Sequence, residues 1–135
     1  MGLLCNRLMV RRLEPHFVNL GKRLEKSPKV YARYIGLLHS LLLIHDIHDL
    51  LGHPTTGASW KGFVVEQIAN HLPGGANMSF YRTAAGTDMD VVVEMGRCEI
   101  GYEVKFSSAP KVTKGFWQTC DDLQLDAAFV VAPLA

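Results

Sequence analysis

Two strand-like runs separated by Gly96-Arg97 constrain this chain more than any other feature. Asp88 to Met95 (DMDVVVEM) and Cys98 to Phe106 (CEIGYEVKF) are short apolar-rich segments, and glycine at the first central position suits a two-residue type II′ turn. That turn sets Met95 against Cys98, Asp90 against Glu103 and Asp88 against Lys105. Side chains alternate along a strand, so Asp88, Asp90, Glu103 and Lys105 are expected on one face. Met89, Val91, Val93, Ile100, Tyr102 and Val104 are expected on the other, as an apolar layer. Directly opposed like charges destabilise a sheet, so Asp90 against Glu103 asks for compensation. A divalent cation supplies it: Mg²⁺ or Mn²⁺ takes one or two carboxylates and keeps waters that can attack a phosphate. Lys105 would orient that water or stabilise charge developing on phosphoryl oxygens. The alternative is a surface strand end with a salt bridge to Lys105. A structure that puts Asp90 and Glu103 on opposite faces shows the register argument wrong and removes the site with it.

The rest of the chain supplies a frame for that hairpin. Leu8 to Leu13 and Phe17 to Leu20 suggest a short hairpin around Glu14-Pro15-His16, followed by an extended Lys29 to Ala32. Ile35 to Leu51 reads as helix with a break near His45, and Ala58 to Leu72 as a second helix ended by Pro73-Gly74-Gly75. Met78 to Arg82 is a strand, Lys114 to Leu123 a helix, and Ala127 to Val131 a last apolar strand. The second half is then α-β-β-β-α-β. A helical crossover after hairpins implies an α/β (α+β) domain, a mixed sheet flanked by helices. We divide the chain into a basic N-terminal hairpin extension, 1–34, and a core domain, 35–135.

At 135 residues and 48% hydrophobic content the chain suits one globular domain and is not disordered. The apolar run Ile35 to Ile44 is about half the ~20 residues a bilayer span needs. The start carries neither a signal peptide nor a myristoylation signal. Cys5, Cys98 and Cys120 are an odd set without metal-type spacing, and read as reduced thiols of a cytoplasmic protein. The formal charge of +1 hides a division. Residues 1–33 hold eight basic and two acidic side chains (+6), and the remainder six basic and eleven acidic (−5). Arg11, Arg12, Lys22, Arg23, Lys26 and Lys29 are therefore candidates for meeting nucleic-acid phosphates. The plainer reading is that the two halves neutralise each other. His45, His48, Asp49 and His53 recur at helical spacing and are weaker zinc candidates. Trp60, Trp117 and the phenylalanines are expected to fill the core.

The order of elements, with an Asp followed by Glu-x-Lys on the next strand, resembles the PD-(D/E)XK nuclease superfamily. VRRLEPHFVNLGKRLEKSPKVYARYIGLLHSLL, GASWKGFVVEQI, FYRTAAGTDMDVVVE and GYEVKFSSAP are similar to the C-terminal domain of bacterial and archaeal AAA-type ATPases. The resemblance spans about Val10 to the C-terminus. It implies a restriction-endonuclease-like core, with Asp90, Glu103 and Lys105 as catalytic residues. Asp90 and Glu103 would be metal ligands, with Asp88 assisting, and DNA the substrate. It also implies an ATPase partner, yet no G-x-x-x-x-G-K-[ST] cradle occurs here, so the chain itself is not expected to hydrolyse ATP.

One departure from the family bears on activity. Such sequences read G-A-S-W-E-G-F-V, whereas this chain has Lys61 in place of that glutamate. On a helical wheel Trp60, Val64, Ile68 and Leu72 form a buried stripe with Lys61 inside its arc, while Glu66 lies on the far side. Lys61 and Glu66 both line the expected site, and a lysine aimed at the carboxylates would stand where a metal sits. The expectation is thus a binding module for nucleic acid or a partner, with a weakened metal site; the alternative is an active Mg²⁺-dependent DNA endonuclease. A chain whose N-terminal hairpin lacks its usual cover is also expected to self-associate, most simply as a dimer.

Overall fold

A computed structural model describes residues 9–17, 21 and 24–133. The elements are β1 (Val10–Pro15), β2 (Lys29–Ala32), α1 (Ile35–Leu41), α2 (Ile47–Leu51), α3 (Thr56–His71), β3 (Asn77–Arg82), β4 (Asp88–Met95), β5 (Cys98–Val104), α4 (Lys114–Leu123) and β6 (Ala127–Val131). The fold is mixed α/β: six strands form one sheet in the order β2-β1-β3-β4-β5-β6, accompanied by four helices among the described residues. The pairs β1–β2, β3–β4 and β4–β5 are antiparallel, and β1–β3 and β5–β6 are parallel. The β5–β6 pair is parallel because α4 carries the chain back across the sheet before β6 begins. No helix of the described residues is long and apolar enough to cross a membrane.

Helix boundaries follow local chemistry. The Asp46 side chain accepts from the Asp49 N–H at 2.8 Å and starts α2, while Leu43 adopts a positive φ of 58° in the break after α1. The long helical segment is therefore two short helices, broken where the sequence suggested. The Thr113 hydroxyl accepts from the Phe116 N–H at 3.3 Å and caps α4.

The N-terminal segment differs from the expected hairpin. No turn forms at Glu14-Pro15-His16: β1 runs on to Pro15, which pairs with Phe80 of β3. Its antiparallel partner is β2, through Val10 against Ala32 and Leu13 against Lys29. Phe17 is 76% exposed, and residues 18–20 lie outside the described set. The reason is burial. Leu13 is 1% exposed against Val65 and Phe80, an apolar anchorage that a free-standing two-stranded hairpin cannot offer.

The sheet separates two apolar layers. On the α3 side lie Leu13, Val65, Phe80, Val91 and Val93, with Tyr31, Ile68 and Tyr102 packed against them. On the α4 side lie Tyr81, Met89, Val92, Phe116 and Leu123, with Leu125, Ala128 and Val130. Met89 and Val91 belong to opposite layers, although regular alternation would put them together. The register explains it: Ser79 pairs with Val92 but Tyr81 with Met89, so two steps along β3 match three along β4. This is a β-bulge that sets Asp90 and Val91 against the single residue Phe80. Met89 is swung under Gly101, where an added Cβ would stand 3.1 Å from its terminal methyl and 2.7 Å from Leu125. A larger residue there would have to displace the ends of the Leu125 and Met89 side chains.

The aromatic residues depart from the core expectation in part. Phe80 and Phe116 are buried, whereas Phe63, Phe106, Phe129 and Trp117 are exposed at the surface. Trp117 packs edge-on to Phe116.

Candidate functional site

The β4–β5 hairpin has the register read from the sequence, from Met95 against Cys98 to Val91 against Tyr102. Beyond Tyr102 the ladder gives way to a side chain, because the Val104 N–H donates to Asp90 Oδ2 at 2.8 Å. The bulge turns Asp90 toward α3. There Lys61 Nζ stands 2.7 Å from Asp90 Oδ1, as the helical wheel anticipated for that lysine. Lys29 Nζ approaches from β2, 3.6 Å from Asp88 Oδ1 and 4.0 Å from Asp90 Oδ1, over the Phe80 ring at 4.6 Å. Arg82 completes the cluster, donating to Asp88 Oδ2 at 3.0 Å.

The expectation of one shared face fails at Asp88 and Asp90, which the bulge turns away from Glu103. Glu103 pairs with Val130, and its neighbour Gly101 with Ala128, both of which pack in the α4 layer. Tyr102, by contrast, packs with the α3 layer, as alternation requires. The Cys120 thiol of α4 is pushed up by burial, then by the charges of Asp121 and Glu103. Lys105 Nζ lies 3.2 Å from Glu103 Oε1. The pairing holds from Met95–Cys98 to Val91–Tyr102, but the register argument fails beyond it, because the bulge moves Asp90 to the other side. Two groups result: Asp88, Asp90, Lys29 and Lys61 toward α3, and Glu103 with Lys105 toward α4. Asp88, Asp90 and Glu103 are not among the sets of described residues whose ligand atoms all lie within 4.8 Å of one another.

The electrostatics of the α3-side group are those of a buried ion-pair network. Asp90 is 4% exposed. Asp88 Oδ1, Asp90 Oδ1 and Glu103 Oε2 are buried oxygens without a hydrogen-bond donor in good geometry. The first two are instead compensated by ammonium charge at the distances above; at 2.7 Å Lys61 meets Asp90 as an ion pair with poor hydrogen-bond angles. Burial lowers the pKa of Lys29, while Asp88 and Asp90 raise it in partial opposition. Tyr31 is pushed up to about 12 by burial and by the charges of Asp90 and Asp88. The metal that the nuclease resemblance implies does not fit this arrangement, since a lysine ammonium contacts Asp90 and the third carboxylate faces the other layer.

Glu66 departs from its expected place. It is 8% exposed and faces the N-terminal strands rather than solvent. Arg11 Nε and Nη2 donate to it at 2.7 and 3.2 Å, and Arg33 Nε at 3.0 Å. Burial raises its pKa, but the hydrogen bonds and charges of Arg11 and Arg33 prevail, so the carboxyl lies below its usual 4.5. It has no contact with Asp90 among those described. The wheel turned Glu66 away from the carboxylates, in line with this; its burial follows because α3 buries a wide arc, Val64, Val65 and Glu66 together, against a sheet that β1 and β2 extend.

The same contacts use up much of the basic segment. Arg11 and Arg33 hold Glu66, Lys29 holds Asp88 and Asp90, and Arg12 Nε lies 2.6 Å from Glu14 Oε1. Lys26 is exposed, and Lys22 and Arg23 lie outside the described residues. The plainer reading of the charge asymmetry, that the two halves neutralise each other, describes Arg11, Lys29 and Arg33. His45, His48, Asp49 and His53 form no metal-sized group; His53 Nδ1 instead meets the Thr55 hydroxyl at 2.8 Å.

Two uncharacterised proteins, of Mycobacterium bovis and Mycobacterium tuberculosis, are each 41% identical to the chain over 133 residues, 98% of its length. The chain spans 30% of the length of each of these curated relatives. No solved structure matches it significantly. A family model described as a domain of unknown function, DUF4143, matches residues 56–134, which run from the first residue of α3 through β6, and the chain belongs to that family.

Proposed function

We propose that this chain is a nuclease-like module that has exchanged its metal for a lysine and works by binding rather than cleavage. The observation that carries this reading is the 2.7 Å contact between Lys61 Nζ and Asp90 Oδ1. An ammonium at that position neutralises the carboxylate itself and takes away the electrostatic advantage of a cation. The α-β-β-β-α-β order from α3 to β6 agrees with a restriction-endonuclease-like core, and the family resemblance supports that descent. The reading expects no cleavage of single- or double-stranded DNA with Mg²⁺ or Mn²⁺. Robust wild-type cleavage, lost in Asp90→Ala and in Lys105→Ala, would overturn it. One observation favours that active alternative: among the described residues, the buried side-chain oxygens without a donor belong to Asp88, Asp90 and Glu103.

The binding half of the proposal favours protein over nucleic acid, because Arg11, Lys29 and Arg33 are already paired inside the fold. Its surface is α1 and α2, neither of which contains a buried residue. Leu41, Leu43, Ile47 and Leu51 are each more than half exposed there. Isolated helices of this length are marginal in water, so an apolar partner surface would stabilise them. A second copy of the chain is the simplest partner, since one apolar face can meet its own copy across a two-fold axis. Light scattering should give a dimer at micromolar concentration, and Leu41→Asp with Leu43→Asp a monomer. A wild-type monomer at high concentration would remove this interface.

A further inference from the structure

We propose that His16, Glu94 and Glu99 form a second site, independent of the Asp90 cluster, that binds one divalent transition-metal ion of the Zn²⁺ class. One ligand atom from each residue lies within 4.8 Å of the other two. His16 Nδ1 stands 2.8 Å from Glu94 Oε1, and Nε2 stands 3.8 Å from Glu99 Oε1. Donors around one tetrahedral zinc ion are about 3.4 Å apart, given bonds of about 2.1 Å. An imidazole ligates through one nitrogen, so the two distances belong to opposite edges of the ring; the three donors of one set lie within 4.8 Å of one another, and side-chain rotation brings them to the tetrahedral spacing.

The fold holds these three residues where they are. His16 follows β1, and its backbone N–H donates to the Phe80 carbonyl at 2.6 Å. Its ring is 7% exposed and has Ser79 Oγ 3.1 Å from Nδ1, a partner that orients the imidazole for ligation through its other nitrogen, Nε2. Glu94 and Glu99 pair directly across the hairpin, a like-charge opposition that costs stability unless something positive lies between them. Among the described residues no lysine or arginine pairs with either, and Asp126 adds a further carboxylate by accepting the Glu99 N–H at 2.8 Å. The Glu94 and Glu99 side chains are 37% and 30% exposed, so an ion can enter from their side and keep water on its open positions. One imidazole nitrogen with two carboxylates suits Zn²⁺ and its neighbours better than Mg²⁺, which prefers oxygen alone. The ion would pin the end of β1 to the β4–β5 hairpin, about 13 Å along β4 from Asp90 at roughly 3.4 Å per residue. It does not depend on whether the Asp90 cluster is silent or active.

The test is calorimetric titration of metal-free protein with Zn²⁺, with thermal unfolding as a second readout. One ion should bind and raise the melting temperature. Glu94→Gln and Glu99→Gln should each weaken binding by about tenfold or more, and together abolish it. Both side chains are partly exposed, so circular dichroism should show these variants folded. Co²⁺ in place of Zn²⁺ should give a visible ligand-field band that His16→Ala removes. Asp88→Asn, in the other carboxylate cluster, should leave the affinity unchanged. Absence of saturable Zn²⁺ binding, or binding that survives in the folded double glutamine variant, would overturn the proposal.

Discussion

Lys61→Glu should lower the melting temperature by about 10 °C in metal-free buffer and regain most of that loss in Mn²⁺. Lys61 Nζ neutralises Asp90, and the substitution would set three carboxylates together, Asp88, Asp90 and the new one, with Lys29 and Arg82 opposing them among the described residues. Breaking a buried pair costs about 3–5 kcal/mol, and Lys61 is a third exposed, so about 3 kcal/mol is expected. For a chain of this size each kcal/mol is worth roughly 3–4 °C. The variant should bind one more Mn²⁺ than wild type. That gain should vanish in Asp90→Ala yet persist in Glu103→Ala, because Glu103 faces the α4 layer. Dependence on Glu103 would show that Asp90 and Glu103 share a site after all. No gain in Mn²⁺ binding would mean that Lys61 is not what excludes a metal.

Glu66→Ala is expected to destabilise the fold by about 3 kcal/mol, since it leaves two guanidinium groups, Arg11 and Arg33, without their partner beside the core. Glu66→Gln should cost less, because the amide oxygen still accepts. The pH dependence has a definite sign. Glu66 has its carboxyl depressed in the folded state, so its contribution is fully present above the usual value of 4.5 and is lost as pH falls through the lower folded value. Denaturant midpoints measured from neutral pH down past 4 should therefore fall more steeply in wild type than in Glu66→Gln. Parallel curves would mean that the pair does not couple the N-terminal strands to α3. A full loss of nucleic-acid affinity in Arg11→Ala, with stability unchanged, would instead return Arg11 to the phosphate-binding role suggested by charge alone.

How much of the site was legible depends on which regularity carried it. The Gly96-Arg97 turn fixed a register that the structure keeps as far as Val91 against Tyr102, because turn geometry is local and pins the pairing of both strands. The face assignment failed at Asp90, because alternation assumes that every residue advances the pleat by one. The bulge opposite Phe80 breaks that assumption, and it arises from packing Met89 beneath Gly101 and Leu125, far from Met89 in sequence. Gly101 within a strand was the one available signal, since a glycine there marks a close approach. The burial of Glu66 was missed for a related reason: a helical wheel ranks faces by hydrophobicity and cannot know that β1 and β2 bring Arg11 and Arg33 against a polar position.

The amino-acid sequence alone determined the element types, their order from α3 to β6, the break between α1 and α2, and the direction of Lys61. Periodicity, caps and turn residues act within a few positions of the chain, and those properties need nothing more. Tertiary structure decided where β1 goes, which layer Met89 and Asp90 join, and which charges find partners. Those outcomes depend on burial between segments distant in sequence. Leu13 gains a core beside Phe80, and once β1 lies there, its basic residues and β2's are spent on Glu66, Asp88 and Asp90. Charge that looked free along the chain became an internal ion-pair network because desolvated acids require the nearest cations, and only the fold determines which cations are nearest.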